Sequence, residues 1–174
     1  MESRRRRRWP WRLLPILMPI LGMALWYASD TVAYAANLRL YFIPSGSMAP
    51  ALAPGDRITV DRRGGDPRRG EIWVFRDPAG GAIVKRVIGL PGETVRVSAG
   101  RVQIDGRPLD EPYLASPMTY EMPPVRLGPD QYLVLGDRRD ASQDSHVWGP
   151  LPKNQFIGRA EHRYRPGVGI GGLP

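Results

Sequence analysis

The apolar residues of this chain fall into one long block near the start and many short pieces afterwards. From Leu13 to Ser29 no side chain is charged, and Leu13 to Tyr27 is almost wholly apolar. That run predicts a helix. Pro15 and Pro19 disfavour it in water, yet both lie in its first half and are tolerated in membrane helices. Seventeen uncharged residues rise roughly 25 Å, a little under the ~30 Å hydrocarbon core of a bilayer. Interfacial Trp9, Trp11, Trp26 and Tyr27 and a snorkelling Arg12 can cover the shortfall, so the pattern predicts one short membrane span. Residues 30 to 40 form a mixed segment that can prolong the helix into the interface.

Beyond Tyr41 the period changes. Short β-type runs follow one another: Arg57 to Val60, Glu71 to Phe75, Ala82 to Val84, Glu93 to Val97, Val102 to Ile104 and Tyr132 to Leu135. Between them stand Pro54-Gly55-Asp56, Gly64 to Pro67, Asp77 to Gly81, Pro91-Gly92, Ala99-Gly100 and Asp105-Gly106, all turn-forming. This spacing predicts an all-β antiparallel domain, a barrel or sandwich. Residues 112 to 129, with five prolines, read as an irregular excursion or small subdomain. The glycine-rich tail Gly167 to Gly172 formally fits a dinucleotide fingerprint, but no helix can follow it, so it reads as a frayed terminus. The expected organisation is a basic segment 1–12, an anchor and juxtamembrane segment 13–36, and a β-rich domain 37–174.

Charge sharpens the membrane reading. Of the formal +8, Arg4 to Arg8, Arg12 and Glu2 account for +5, which leaves an unexceptional +3 for the rest of the chain and removes the case for nucleic acid. Arginines ahead of the span place the N-terminus in the cytoplasm and the β domain outside. The alternative is a cleavable signal peptide ending at Ala33-Tyr34-Ala35, although Asp30 and five further residues separate that site from the apolar run. With no cysteine, disulfides, thiolate metal sites and cysteine nucleophiles are excluded.

The candidate chemistry rests on a scarcity. Of 25 cationic residues only Lys85 and Lys153 are lysines. Arginine stays protonated, whereas a desolvated lysine can act as a neutral base. Lys85 sits in the apolar stretch Ile83-Val84-Lys85-Arg86-Val87-Ile88. A serine nucleophile needs such a base, and Pro44-Ser45-Gly46-Ser47-Met48 supplies two hydroxyls on a turn. A Ser/His/Asp triad would have to use His146 or His162, without the Gly-x-Ser-x-Gly elbow. A Ser-x-x-Lys arrangement fails for both lysines. A Ser47/Lys85 dyad remains. For it, Lys85 must fall by about two to three pH units from ~10.4, at a cost of roughly 3 to 4 kcal/mol to its charged form. The bland alternative turns Lys85 to solvent and Val84 inward.

Four boxes in order resemble type I signal peptidase: Pro44 to Leu52, Gly55 to Val60, Lys85 to Glu93, and Gly136 to Gly149. The resemblance covers essentially the whole chain. It implies the β-barrel-type catalytic fold shared with self-cleaving repressors, with one N-terminal transmembrane helix. It implies Ser47 as nucleophile and Lys85 as general base. Ser45 would join the Ser47 N–H in the oxyanion hole, and Ser142 would hydrogen-bond the lysine amine. Met48, Gly136, Asp137 and Asp144 would shape the site, and Tyr41, Ile43, Leu52 and Val84 would line shallow substrate pockets. The implied substrates are secreted preproteins, cut after small residues at −1 and −3. The implied enzyme is a monomer in the bacterial plasma membrane that contacts lipid, binds no nucleic acid and needs no cofactor or metal. Arg138 and Ala141 depart from the family's usual asparagines, and His146 replaces an arginine that pairs with the residue matching Asp144. The chain also lacks an insertion seen in some members. Two alternatives stay open: a specialised conjugative-transfer peptidase acting on a pilin precursor, and an inactive membrane-tethered module that binds extended peptides.

Overall fold

A computed structural model describes residues 14–77, 79–114 and 116–174. The chain divides into two compact units, Met1–Asn37 and Leu38–Pro174. In the first, α1 runs over Leu14–Asn37. Its end is capped by its own side chain, since Asn37 Nδ2 donates to the Ala33 carbonyl at 2.8 Å. Leu17, Ile20, Leu21, Met23, Leu25 and Trp26 are all exposed on this helix. No helix among the described residues is long and apolar enough to cross a membrane. The anchor and juxtamembrane segment expected over 13–36 begins outside the described residues, and α1 covers the rest of it. Its uncharged run stops at Asp30 and is diluted by Pro19, Gly22, Tyr27 and Ser29. The basic cluster and Leu13 lie outside the described residues.

The second unit holds all the described strands: β1 Leu38–Phe42, β2 Arg57–Asp61, β3 Ile72–Arg76, β4 Ala82–Gly89, β5 Thr94–Ser98, β6 Arg101–Ile104, β7 Arg107–Pro108, β8 Met122–Arg126, β9 Gln131–Leu135, β10 Leu151–Pro152, β11 Phe156–Arg165 and β12 Gly169–Gly172. A short helix α2, Ser145–Trp148, follows β9. The expected all-β antiparallel character holds. One curled sheet has the order β1-β2-β11-β3-β4-β9-β10, with β12 beside β11, and a second has the order β7-β6-β5-β8. The first is half a barrel, ending in β1 and β10.

Three apolar clusters hold these layers. Ile43, Met48, Leu52, Ile58, Val60, Ile72 and Val74 form the first, under the turn that carries Ser47. Ile88, Val95, Val97, Val102, Met118, Met122, Leu127, Leu133 and Leu135 form the second, drawn from both sheets. Trp73, Phe75, Val87, Tyr132, Val134 and Leu151 form the third. Each fully buried side chain of this size contributes about 1.5–3 kcal/mol relative to exposure. Residues 112–129 are less irregular than their prolines suggest, because they supply β8, whose Met122 faces Val97 of β5. The glycine tail is not frayed: β12 pairs with β11 from His162 to Arg165. Backbone hydrogen bonds need no side chain, so glycine can hold a strand here.

The long strand β11 was missed by the pattern because its buried positions are Gly158 and Ala160. A Cβ at Gly158 would stand 2.5 Å from the Asp61 carbonyl oxygen, so the close approach of β2 requires glycine there. The strand β4 changes neighbours along its length. Ala82 to Arg86 pair with β3, whereas β9 pairs only from Arg86 to Gly89. The β9-side edge of Ala82 to Lys85 has no partner among the described strands.

Candidate active site

The turn after β1 presents Ser47 because the residue beyond it is an anchor. Met48 is 1% exposed and lies in the first apolar cluster, and its carbonyl accepts from Leu52 N–H at 2.9 Å. Ala49 N–H closes the turn onto Gly46 at 3.1 Å. Ser47 is left half-buried and Ser45 exposed. Across from them, β4 is covered on both faces from Lys85 to Gly89, so the alternative that turned Lys85 to solvent and Val84 inward fails. Lys85 is 4% exposed. Its Nζ lies 2.7 Å from Ser47 Oγ. The two residues are 38 positions apart in sequence, and the structure brings them into direct contact.

Burial pushes the Lys85 amine below its ordinary value, because a charged form deprived of water is disfavoured; the negative charges of Asp144 and Asp137 work in the opposite direction. Ser45 Oγ stands 3.4 Å from Ser47 Oγ, longer than a good hydroxyl hydrogen bond. Ser142 is buried, but its Oγ has no hydrogen-bond partner among the described residues, so the expected bond to the lysine amine is not made. It packs instead behind Gly136. A Cβ on Gly136 would stand 2.3 Å from Ser142 Oγ and 2.6 Å from the Ser47 carbonyl oxygen, so only glycine lets the two loops meet. Arg138 N–H completes the junction by donating to that carbonyl at 3.0 Å.

The Gly136-Asp137 dipeptide is pinned on every side. Arg86, beside Lys85 on β4, forms a bidentate pair with Asp137, at 2.8 Å from Nε and 2.6 Å from Nη2, and both partners are buried. Asp144, wholly buried, caps α2 and accepts the Gly136 N–H at 2.9 Å. Its other oxygen lies 2.7 Å from His146 Nδ1. Arg139 Nε donates to the Gly136 carbonyl at 2.9 Å, and its guanidinium pairs with Glu111. Tyr113 joins the two arginines: its hydroxyl donates to Glu111 at 2.8 Å and its ring lies 3.9 Å beneath Arg86. Sequence reasoning missed Arg86, Arg139, Glu111 and Tyr113 as parts of the site. An arginine amid the apolar residues of β4 was the one signal available. Nothing local marks the others.

A cavity of about 90 Å³ opens beside the Ser47–Lys85 contact, lined by Tyr41, Ile43, Pro44, Ala82, Ile83 and Val84 among others. Three of the four expected pocket residues border it. Leu52 does not: it is fully buried in the first cluster.

The chain as a whole is similar to known proteins. The family model described as signal peptidase, peptidase S26, matches residues 11–165. A probable signal peptidase I-2 of Synechocystis sp. is 46% identical over 140 residues, which span 75% of this chain and 64% of that protein. The signal peptidase I of Leptolyngbya laminosa is 42% identical over 165 residues, or 88% of this chain and 80% of the relative. The crystal structure of a signal peptidase I from Enterococcus faecalis superposes with a TM-score of 0.51 at 31% identity, covering 55% of this chain and 97% of the other. With its family model matched over most of its length and its four boxes in order, the chain belongs to the signal peptidase family, peptidase S26.

Proposed function

We propose that the chain is a serine endopeptidase that removes signal peptides from secreted preproteins, with Ser47 as nucleophile and Lys85 as general base. The observation that carries this reading is the 2.7 Å contact between Ser47 Oγ and a lysine amine sheltered from water. Neutral Lys85 takes the Ser47 proton as Oγ attacks the carbonyl carbon of the −1 residue. The negative charge that develops on the carbonyl oxygen is stabilised by hydrogen bonds donated from Ser47 N–H and, with a small rotation, from the Ser45 hydroxyl. The Lys85 ammonium then protonates the departing amine, leaving an acyl-enzyme. Water, deprotonated by Lys85 in turn, releases the signal peptide and restores Ser47. The unpartnered Ser142 hydroxyl is available to hold the amine once it is neutral.

The cavity lining supports a preference for small apolar residues. The cavity beside the dyad is lined by Tyr41, Ile43, Ala82 and Val84 and can receive apolar side chains flanking the scissile bond, in keeping with alanine at −1 and −3. The free edge of Ala82 to Lys85 can receive an extended substrate through main-chain hydrogen bonds. The exposed apolar side chains of α1 attach the protein to a membrane, with the arginines that precede them on the cytoplasmic face. Full-length protein in detergent is expected to cut a preprotein ending in Ala-x-Ala after the second alanine. Ser47→Ala and Lys85→Arg should each lower the rate by about 10³-fold or more, since members of a catalytic set are not replaced by charge alone. An active Lys85→Arg would sink the base assignment.

A further inference from the structure

Two buried arginines grip the loop that backs the nucleophile, and both lead to the residues just after β7. Arg86, next to Lys85 on β4, forms its bidentate pair with Asp137. Arg139 Nε donates to the Gly136 carbonyl at 2.9 Å, and its Nη1 and Nη2 both reach the Glu111 carboxylate. Only 1% of the Arg139 side chain and 5% of the Glu111 side chain is exposed. The Tyr113 hydroxyl donates to Glu111 Oε1 at 2.8 Å, and the Arg86 guanidinium lies 3.9 Å over the Tyr113 ring. The contacts therefore close into a circuit: Asp137 to Arg86, Arg86 to Tyr113, Tyr113 to Glu111, Glu111 to Arg139, and Arg139 back to Gly136. Burial pushes the Tyr113 hydroxyl above its ordinary value, so it stays a donor at every ordinary pH.

The circuit is held from outside at two points. Leu109 N–H donates to the Val102 carbonyl of β6 at 2.9 Å, which ties the approach to Glu111 to the second sheet. Thr119 N–H and Oγ1 donate to Asp140, at 2.9 and 2.8 Å, next to Arg139. On its inner side, Gly136 lies so close to the Ser47 carbonyl that a Cβ would stand 2.6 Å from it, and Arg138 N–H bonds that same carbonyl. A shift of the circuit is thus a shift of Ser47 against Lys85, whose own strand carries Arg86. Neither Glu111 nor Tyr113 borders the cavity beside the dyad. We propose that Glu111 and Tyr113 are positioning residues for cleavage: they close the circuit that holds the Gly136-Asp137 loop against Ser47 and so fix how Ser47 meets Lys85. The proposal rests on the reading of Ser47 and Lys85 as the dyad.

The test is the separate measurement of kcat and KM on a preprotein ending in Ala-x-Ala, for full-length wild type, Tyr113→Phe, Glu111→Gln and the double variant in detergent. Tyr113→Phe keeps the ring beneath Arg86 and removes only the hydroxyl, so it should fold, with kcat lowered about 10-fold and KM within about twofold of wild type. Glu111→Gln takes the buried counter-charge from Arg139 and should lower kcat by about 10- to 100-fold, again with little change in KM. Because the contacts form one circuit, the double variant should be about as slow as the worse single variant. Losses that multiply overturn the circuit. Melting temperatures that fall while kcat per folded molecule stays at the wild-type value make the cluster structural only and overturn the proposal, as does a rise in KM at constant kcat. Variants with wild-type kcat, in a protein that Ser47→Ala and Lys85→Arg both inactivate, overturn the role of Glu111 and Tyr113 alone. A Ser47→Ala or Lys85→Arg protein that still cleaves overturns the dyad, and the present proposal with it.

Discussion

On the proposed reading, Lys85 sets function against stability at the scale of a single residue. Its folded value is lowered by burial, so it costs stability rather than adding it. The cost is absent above the ordinary lysine value near 10.5, grows as pH falls through that value, and is complete below the depressed folded value. Lys85→Met should therefore abolish cleavage yet stabilise the protein at pH 7 by about 1–3 kcal/mol, an advantage that shrinks at alkaline pH. Urea unfolding of both proteins across pH measures it, and a destabilised methionine variant at pH 7 would contradict the assignment. Gly136 illustrates the opposite constraint, where the absence of a side chain is the requirement. Gly136→Ala drives a methyl into Ser142 and the Ser47 carbonyl, with an expected stability loss of about 1–3 kcal/mol and a rate loss of about 100-fold.

Among elements, the strands that frame the site are tied at their ends by charged pairs. Asp56, at the entry to β2, accepts Ala53 N–H at 2.8 Å and a bidentate pair from Arg165 at the end of β11, at 2.8 and 2.7 Å. The hydrogen bonds from Arg165 hold the Asp56 carboxyl below its ordinary range, against the effect of burial. A depressed carboxylate contributes stability above its unfolded value and loses it as pH falls through the folded value. Asp56→Asn should cost about 1–3 kcal/mol at pH 7, less than a fully buried pair because Arg165 is partly exposed, and the difference should vanish in strong acid. Denaturation midpoints at pH 7 and at successively lower pH check this, the gap narrowing as the carboxylate is protonated; equal midpoints at pH 7 would remove the tie from the account. The strand β4 is the element on which the site depends most, since one stretch of eight residues presents an edge unpaired among the described strands, the buried Lys85 amine against Ser47 and the arginine that fixes Asp137.

For the whole molecule, the division at Asn37 separates an apolar helix from a β unit with its own three clusters. Leu38–Pro174 alone should keep the far-ultraviolet signature of β structure and cleave a soluble Ala-x-Ala peptide. The full chain should pellet with membranes after alkaline extraction while the shorter form does not. Loss of β structure in the shorter form would show that the unit leans on the residues before it.

The short strands β2 to β6 and β9 and the antiparallel class were legible in sequence, because alternation and turn residues are local signals, whereas local signals left the pairing of Ser47 with Lys85 open and the family resemblance implied it. The strands β11 and β12 were not. Their buried positions are glycine and alanine, and their hydrogen bonds come from partners distant in the chain. The strand β8 hid behind its prolines for a related reason. Only the tertiary structure decided that Leu52 is core rather than pocket, that Ser142 stands without a bond to Lys85, and that Arg86, Arg139, Glu111 and Tyr113 clamp the Gly136-Asp137 loop. The chain by itself determined which residue types were available for chemistry. What surrounds each of them, and hence which lysine loses its water and which carboxylate stays charged, is set by segments far apart in sequence that meet only when the sheets close over the core.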